Sequence, residues 1–501
     1  MSPLCAVPHR LLVAAVLASL LAAVGSQAQR PQEQPGDHQE LEQLRQMVLT
    51  LESRVSALEQ QNAALRGSQA MNAASPPIVG ASGPQAAAAL VRATAELRRA
   101  TPSTPVQAAA APATEPKSPS GRDLPANLPG GATLNYLLDG YYEYNFNDPI
   151  GGVNDLRAYD VLSNAFSINQ AAIILDLDPD LAVHRRYGVR VDLQFGQATE
   201  TLQGNPANEP RPEIYRNIFQ AYGTYIVPLG SGLNVDFGKW ASSLGVEGNY
   251  TKDQMNYTRS FFFYYLPFYH AGVRTQYHVN DKLALNYWLV NGTDQSEPTN
   301  QYKDELWGWV LQPTKSLTWT FNYYLGQDHP NVMPSSNCTV PVQPGLCLAP
   351  IVPAPNGKLD IFDTYANWQI TPKFTLQGEA DYVIEREWAN AAPGESSAPS
   401  HVDGGAGYAM YQISSHSDVA LRGEYLSDRG GLFSGVTQAL KEGTATYEYK
   451  FGNNFDSFLE FRRDWSNVYY FGTGHTGVLS KQQPTAAVGL VWWYGGKQGA
   501  W

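Results

Sequence analysis

The chain is 501 residues long, carries a formal charge of −12 and holds only three cysteines. Such acidity, with no basic patch interleaved with aromatics, opposes a nucleic-acid partner, and three cysteines are too few for a disulfide-dense scaffold. Charged residues make up 16% and aromatics 12%, with 29 Tyr against 18 Phe, which suits a wall whose amphipathic rings sit at the level of lipid headgroups.

Residues 1–28 read as a secretory signal. His9 and Arg10 give a weakly positive start, Leu11 to Val24 is apolar, and Ser26 and Ala28 are the small residues expected before cleavage at Gln29. The apolar stretch is too short to span a bilayer as a helix. Cys5 and Arg10 leave with this peptide, so the mature chain is more acidic still.

Residues 29–66 predict a periplasmic coiled-coil helix. Leu41, Leu44, Val48, Leu51, Val55, Leu58, Asn62 and Leu65 recur at alternating spacings of three and four, a heptad seam that buries nothing without a partner. Oligomerisation of the chain with itself through 41–65 is therefore expected. Valines and Asn62 at the a positions favour a dimer and a barrel body favours a trimer, and both remain open. Residues 67–131 turn to Ala, Pro and Ser, with a short helical patch at Ala86 to Arg99, and read as a flexible tether.

From 132 to 501 the chain is all-β, and its pattern predicts a transmembrane up-and-down antiparallel β-barrel. The clearest stretch is Ser417 to Asp464. There Asp418, Arg422, Glu424, Glu448, Lys450, Asp456, Glu460, Arg462 and Asp464 alternate with Val419, Leu421, Tyr425, Tyr447, Tyr449, Leu459 and Phe461. A period of two marks a strand with two unlike faces. Sixteen candidate strands follow, at 132–146, 166–178, 184–197, 213–227, 232–240, 268–279, 282–293, 302–312, 316–327, 358–370, 374–386, 403–413, 417–428, 440–451, 454–464 and 485–494. Short links alternate with long ones throughout, as they do when tight turns leave one rim of a barrel and long loops the other. Fourteen or eighteen strands stay open, because 241–267 contains FFFYYL, which reads as a strand or as a loop folded onto the wall.

Parity assigns Asp139, Glu143, Arg190, Asp192, Asp236, Glu379 and Asp381 to the inner face together with Asp418, Arg422, Glu424, Glu448, Lys450, Glu460, Arg462 and Asp464. A charge facing lipid near mid-plane would cost roughly 2 to 4 kcal/mol, so these residues are expected to line a pore. Acids exceed bases among them, which implies a weak preference for cations or neutral polar solutes. Lys239, Glu247, Lys252, Asp253, Arg259 and His270 are candidates for an inward-folded constriction, against the alternative of a rim hairpin whose aromatics face the headgroups.

Cys338 and Cys347 sit nine apart in a Pro-rich segment, and in an exported chain the economical reading is one local disulfide. No nucleophile–base spacing, zinc motif or nucleotide-binding fingerprint points to an enzyme, a metal or a cofactor. Glu379 and Asp381 share a face without being thereby an acid and base pair.

LLDGYYEYNFNDP at Leu137 to Pro149, SFFFYYLPFYHAGVRTQYHVNDKLALNYWLVNGTDQ at Ser260 to Gln295 and NNFDSFLEFRRDWSN at Asn453 to Asn467 together resemble the β-barrel porin family described as porin-2 or OmpL-like. The resemblance implies an outer-membrane channel of a Gram-negative bacterium, a porin passing small hydrophilic solutes, with no catalytic residues to carry over. The alternative is a plugged structural or adhesive barrel acting through extracellular loops such as 328–357. The helix and tether lie outside the resemblance and would hold the barrel near peptidoglycan or fix its oligomeric state. Trp501, a terminal aromatic, resembles the address read by outer-membrane insertion machinery, though it stands seven residues beyond the last candidate strand.

Overall fold

The computed structural model describes residues 128–202, 209, 211–328, 341–343, 346–347, 357–386 and 398–496. The signal segment, the heptad helix, the tether up to 127, most of the loop 328–357, the Cys338–Cys347 pair and Trp501 lie outside the described residues and side chains. Sixteen strands form the wall: β1 (Thr133–Asn145), β2 (Ala165–Leu177), β3 (Tyr187–Phe195), β4 (Ile218–Val227), β5 (Leu233–Ala241), β6 (Tyr269–Asn280), β7 (Leu283–Val290) and β8 (Asp304–Thr314). They continue with β9 (Leu317–Gln327), β10 (Lys358–Thr371), β11 (Phe374–Arg386), β12 (Pro399–Ser414), β13 (Ser417–Arg429), β14 (Gln438–Lys450), β15 (Phe455–Ser466) and β16 (Gln482–Gly495). Each pairs antiparallel with its chain neighbour, and β16 returns to pair with β1, Tyr136 opposite Tyr494 and Leu138 opposite Trp492. Closure leaves no unpaired sheet edge, the condition for a sheet to stand in hydrocarbon.

The alternation along each strand decides which face is which. In β13, Asp418, Arg422, Glu424 and Asp428 are buried while Leu421 and Tyr425 are 53% and 45% exposed. Phe166, Phe237, Trp307, Trp319, Trp368 and Trp492 are likewise exposed on the outside. An apolar, aromatic outer surface with ionic residues turned in is what lipid outside and a polar interior require. Leu459, near the middle of β15 and 59% exposed, gives a direct check. Replacing it with Arg should cost about 2–4 kcal/mol of folding free energy in lipid vesicles, read by urea titration of tryptophan fluorescence.

Short links, such as 281–282, 315–316, 372–373 and 415–416, alternate with long ones, and both ends of the barrel chain, Thr133 and Gly495, lie on the short-turn side. The strand ends differ most from the expected ones in β4, which begins at Ile218 because Pro212–Tyr215 is a helical turn, and, by lengthening, in β12 and β16, which begin at Pro399 and Gln482. Cross-strand pairing extends both past the point where hydropathy stops alternating, with Pro399 opposite Arg386 and Gln482 opposite Trp465. The FFFYYL run is neither a wall strand nor a girdle: Phe261–Tyr265 is a single helical turn whose N-cap, Ser260, accepts from the Phe263 amide.

Candidate channel and its inward loop

Between β5 and β6 the chain leaves the wall for 242–268 and turns into the barrel. Its two stems stay adjacent, with the Ser242 amide donating to the Phe268 carbonyl at 2.9 Å. Backbone taken into an enclosed space must find partners, and the wall supplies them as carboxyl, guanidinium and amide side chains. Glu460 accepts from the Tyr257 and Thr258 amides at 2.7 and 3.0 Å. Glu424 accepts from Phe261 and Phe262, both at 2.8 Å, and Asp363 from Gly245 at 2.9 Å. On the carbonyl side, Arg422 donates to Thr258 at 2.6 Å, Asn322 to Ser243 at 2.9 Å, and Arg462 to Arg259.

Side chains add a second set of ties. Thr251 and Tyr257 both donate to Asp139 at 2.7 Å, Tyr250 donates to Asp192 at 2.7 Å, and Asn249 bridges Gln194 and Gln170. The Tyr257 ring lies on Gly489 of β16, where a methyl group would stand 2.2 Å from a ring carbon, so only glycine admits the ring there. Arg259 braces the loop from within, donating to the carbonyls of Gly248, Tyr257 and Asn249. Around this frame Phe261, Phe262, Phe263, Phe268 and Tyr269 are almost wholly buried, forming an apolar cluster inside a barrel whose inner wall is ionic.

The ionic wall is itself a chain of alternating charge. Arg157 from the first long loop meets Asp464 at 2.9 Å and Asp160 at 2.8 Å, with Glu143 at 3.9 Å. Arg462 meets Asp464 at 2.7 Å and Glu442 at 3.9 Å; Arg422 meets Glu442 at 3.1 Å and Glu247 of the inward loop at 2.8 Å. Elsewhere Arg190 pairs with Asp192 at 2.8 Å, Arg274 with Asp236 at 2.6 Å, and Lys450 with Asp418 and Glu448 at 2.6 and 3.6 Å. Buried ions of this kind persist only when paired and hydrogen-bonded.

All fifteen residues assigned inward by parity occupy the inner face, but they do not form one water-facing ring. Asp139, Asp192, Arg422, Glu424, Glu460 and Arg462 hold the loop. Lys450, Glu448 and Arg274, nearer the turn side, keep part of their surface open, at 32%, 12% and 17% of the side chain. Of the six constriction candidates, Glu247, Lys252, Asp253 and Arg259 lie in the inward loop, with Lys252 and Asp253 paired at 2.8 Å. Lys239 and His270 do not: they sit on β5 and β6. Lys239 stands 3.7 Å over the Tyr269 ring, and His270 is held between the Gly292 carbonyl and the Ser242 hydroxyl.

Glu442 and Arg157 escaped the sequence reading. Glu442 carried a usable signal, since it falls on the same parity as Glu448 in β14. Arg157 carried none, because a loop arginine has no periodicity to reveal that it points inward.

The family model described as beta-barrel porin-2, OmpL-like matches residues 131–492. No curated protein matches the chain. Among solved structures it is similar to the outer-membrane OmpT of Vibrio cholerae, at 10% identity and a TM-score of 0.43, covering 72% of this chain and 97% of that one. It is also similar to an anion-selective porin from Comamonas acidovorans, at 8% identity and 0.45, covering 72% and 99%. Salmonella typhi OmpF in complex with daunomycin aligns at 11% and 0.42, covering 72% and 97%. At such identities and scores these likenesses carry no functional argument.

Proposed function

The chain belongs to the β-barrel porin-2, OmpL-like family, and from that premise we propose that it is an outer-membrane channel for passive diffusion of small hydrophilic solutes, narrowed by the loop 242–268. The observation that carries the reading is a closed wall with an apolar exterior and an ionic interior, into which one long loop folds and is tied by charged wall side chains. Sixteen-stranded walls of this type leave room for an aqueous path, and the loop sets how much of it remains. The compartment follows from the family: the outer membrane of a Gram-negative bacterium, with solute and lipid as its partners.

Finer features belong to the same proposal. Residues 29–131 are assigned to the periplasm, with the heptad segment 41–65 joining copies of the chain and the tether keeping them near peptidoglycan. Acids exceed bases on the inner face, so small cations should pass more readily than anions. Reconstitution in planar bilayers under a salt gradient tests this. The expected result is stepwise conductance with a reversal potential showing potassium more permeant than chloride. A chloride-selective reversal potential would contradict the preference, and a silent, fully inserted barrel would contradict the channel.

A second reading is favoured by one observation, the near-complete burial of Arg422, Glu424, Glu460 and Arg462 under the loop. On that reading the barrel is plugged and acts as a structural or adhesive element through its extracellular loops. It requires that the intact protein be silent and that removal of the loop alone confer conductance.

A further inference from the structure

Antiparallel strands seldom place like charges directly opposite each other, because the pair is destabilising unless something compensates it. This wall does so repeatedly. Asp418 faces Glu448, Glu424 faces Glu442, and Glu442 faces Asp464. Each of these pairs is compensated by nearby donors. Lys450 bridges the first, Arg422 holds Glu442 while two loop amides satisfy Glu424, and Arg462 with Arg157 holds Asp464.

In one further pair only one member meets donors, and among the described residues neither has a cationic partner. Asp363 of β10 faces Asp381 of β11, and Glu379 lies on the same face two residues away. Oxygens of the three carboxylates lie within 4.8 Å of one another. Asp363 accepts from the Gly245 amide and from Asn322 Nδ2, at 2.9 and 2.7 Å. Glu379 and Asp381 are only 7% and 4% exposed, yet none of their four buried carboxylate oxygens makes a hydrogen bond of good geometry, the Val246 amide being the donor beside Glu379. Among the described residues no Lys, Arg or His forms an ion pair with any of the three. Burying this much negative charge unpaired is far costlier than any one hydrogen bond returns.

We propose that Asp363, Glu379 and Asp381 form a binding site for a divalent cation of the calcium class, set in the barrel wall beneath the stem of the inward loop. The ligands are hard oxygens with no nitrogen or sulfur among them, which selects calcium, magnesium or manganese over zinc or copper. Calcium takes oxygens at about 2.3–2.6 Å and tolerates irregular geometry, so ligand oxygens on one ion lie no more than roughly 4.6–5.2 Å apart, the limit these carboxylates meet. The ion would neutralise the cross-strand repulsion and anchor Gly245, whose amide binds the same Asp363. The inference is independent of whether the barrel conducts.

The test uses full-length protein refolded in detergent from inclusion bodies, so that no lipopolysaccharide contributes cation sites of its own. After chelation and dialysis, calorimetric titration with calcium should show one ion per chain and a rise in the thermal midpoint of unfolding. In E379Q/D381N, both should vanish while the heat-modifiable gel mobility of a folded barrel persists. Wild-type protein that binds no calcium overturns the proposal, since the carboxylates are then simply protonated and share protons with one another. Binding retained by the folded double variant overturns it as well, by placing the ion elsewhere. Should the double variant fail to fold, the calcium dependence of the wild-type midpoint decides the matter: its absence overturns the site.

Discussion

Replacing residues 243–267 with a short Gly/Asn turn is expected to raise single-channel conductance at least several-fold. The replacement is sterically modest. β5 and β6 pair up to Ala241 and Tyr269, and Ser242 is already hydrogen-bonded to Phe268, so the strands meet where a hairpin turn would begin. What leaves is a body of backbone and aromatic rings that lies against β1, β3, β10, β13, β15 and β16. The wall itself loses no strand pairing, so the shortened chain should still fold and migrate as a barrel. The conductance increase separates the two functional readings by its starting point: a narrowed channel rises from a measurable value, a plugged barrel from zero. Unchanged conductance in a folded, loop-shortened protein would mean that 242–268 does not obstruct the bore.

Arg422→Met is expected to cost about 3–5 kcal/mol, the penalty for removing one partner from a buried ionic group. Arg422 meets two carboxylates at once, Glu442 and Glu247, and also donates to the Thr258 carbonyl. Without it Glu442 keeps the Thr444 hydroxyl and the more distant Arg462, and the loop loses one of its two ties to β13, the Glu424 bonds to Phe261 and Phe262 remaining. Urea midpoints of the folded barrel in detergent measure the loss. Adding Glu442→Gln should return part of it, because the second change removes the stranded charge; the double variant then costs less than the sum of the two single changes. A loss under about 1 kcal/mol, the range of exposed pairs, would show that Arg422 is solvated and the loop lies elsewhere.

Much of this molecule is legible from residues alone. The hairpins across Ser417 to Asp464 alternate so strictly that their two faces can be assigned before any register is known, and the alternation of short and long links fixes the sidedness of the rims. The direction taken by 242–268 was not legible, for a definite reason. FFFYYL buried in a barrel and FFFYYL facing headgroups are the same sequence, and the choice rests on Glu424, Glu460 and Asp363, which belong to distant strands and reach the loop only through the closed topology. Lys239 and His270 were grouped with the loop by proximity in sequence, but the ends of β5 and β6 extend past them. The carboxylates of Glu379 and Asp381 look like ordinary inner-face acids until cross-strand register sets Asp363 against them.

The placement of 242–268 within the barrel carries the whole account, and amide hydrogen exchange reads it without any mutation. The amides of Tyr257, Thr258, Phe261 and Phe262 donate to buried carboxylates of the wall, so peptides covering 255–265 should exchange as slowly as those of β13 and β15 in the folded, inserted protein. Exchange of that segment at the rate of a solvated surface loop, while the strands stay protected, would contradict it.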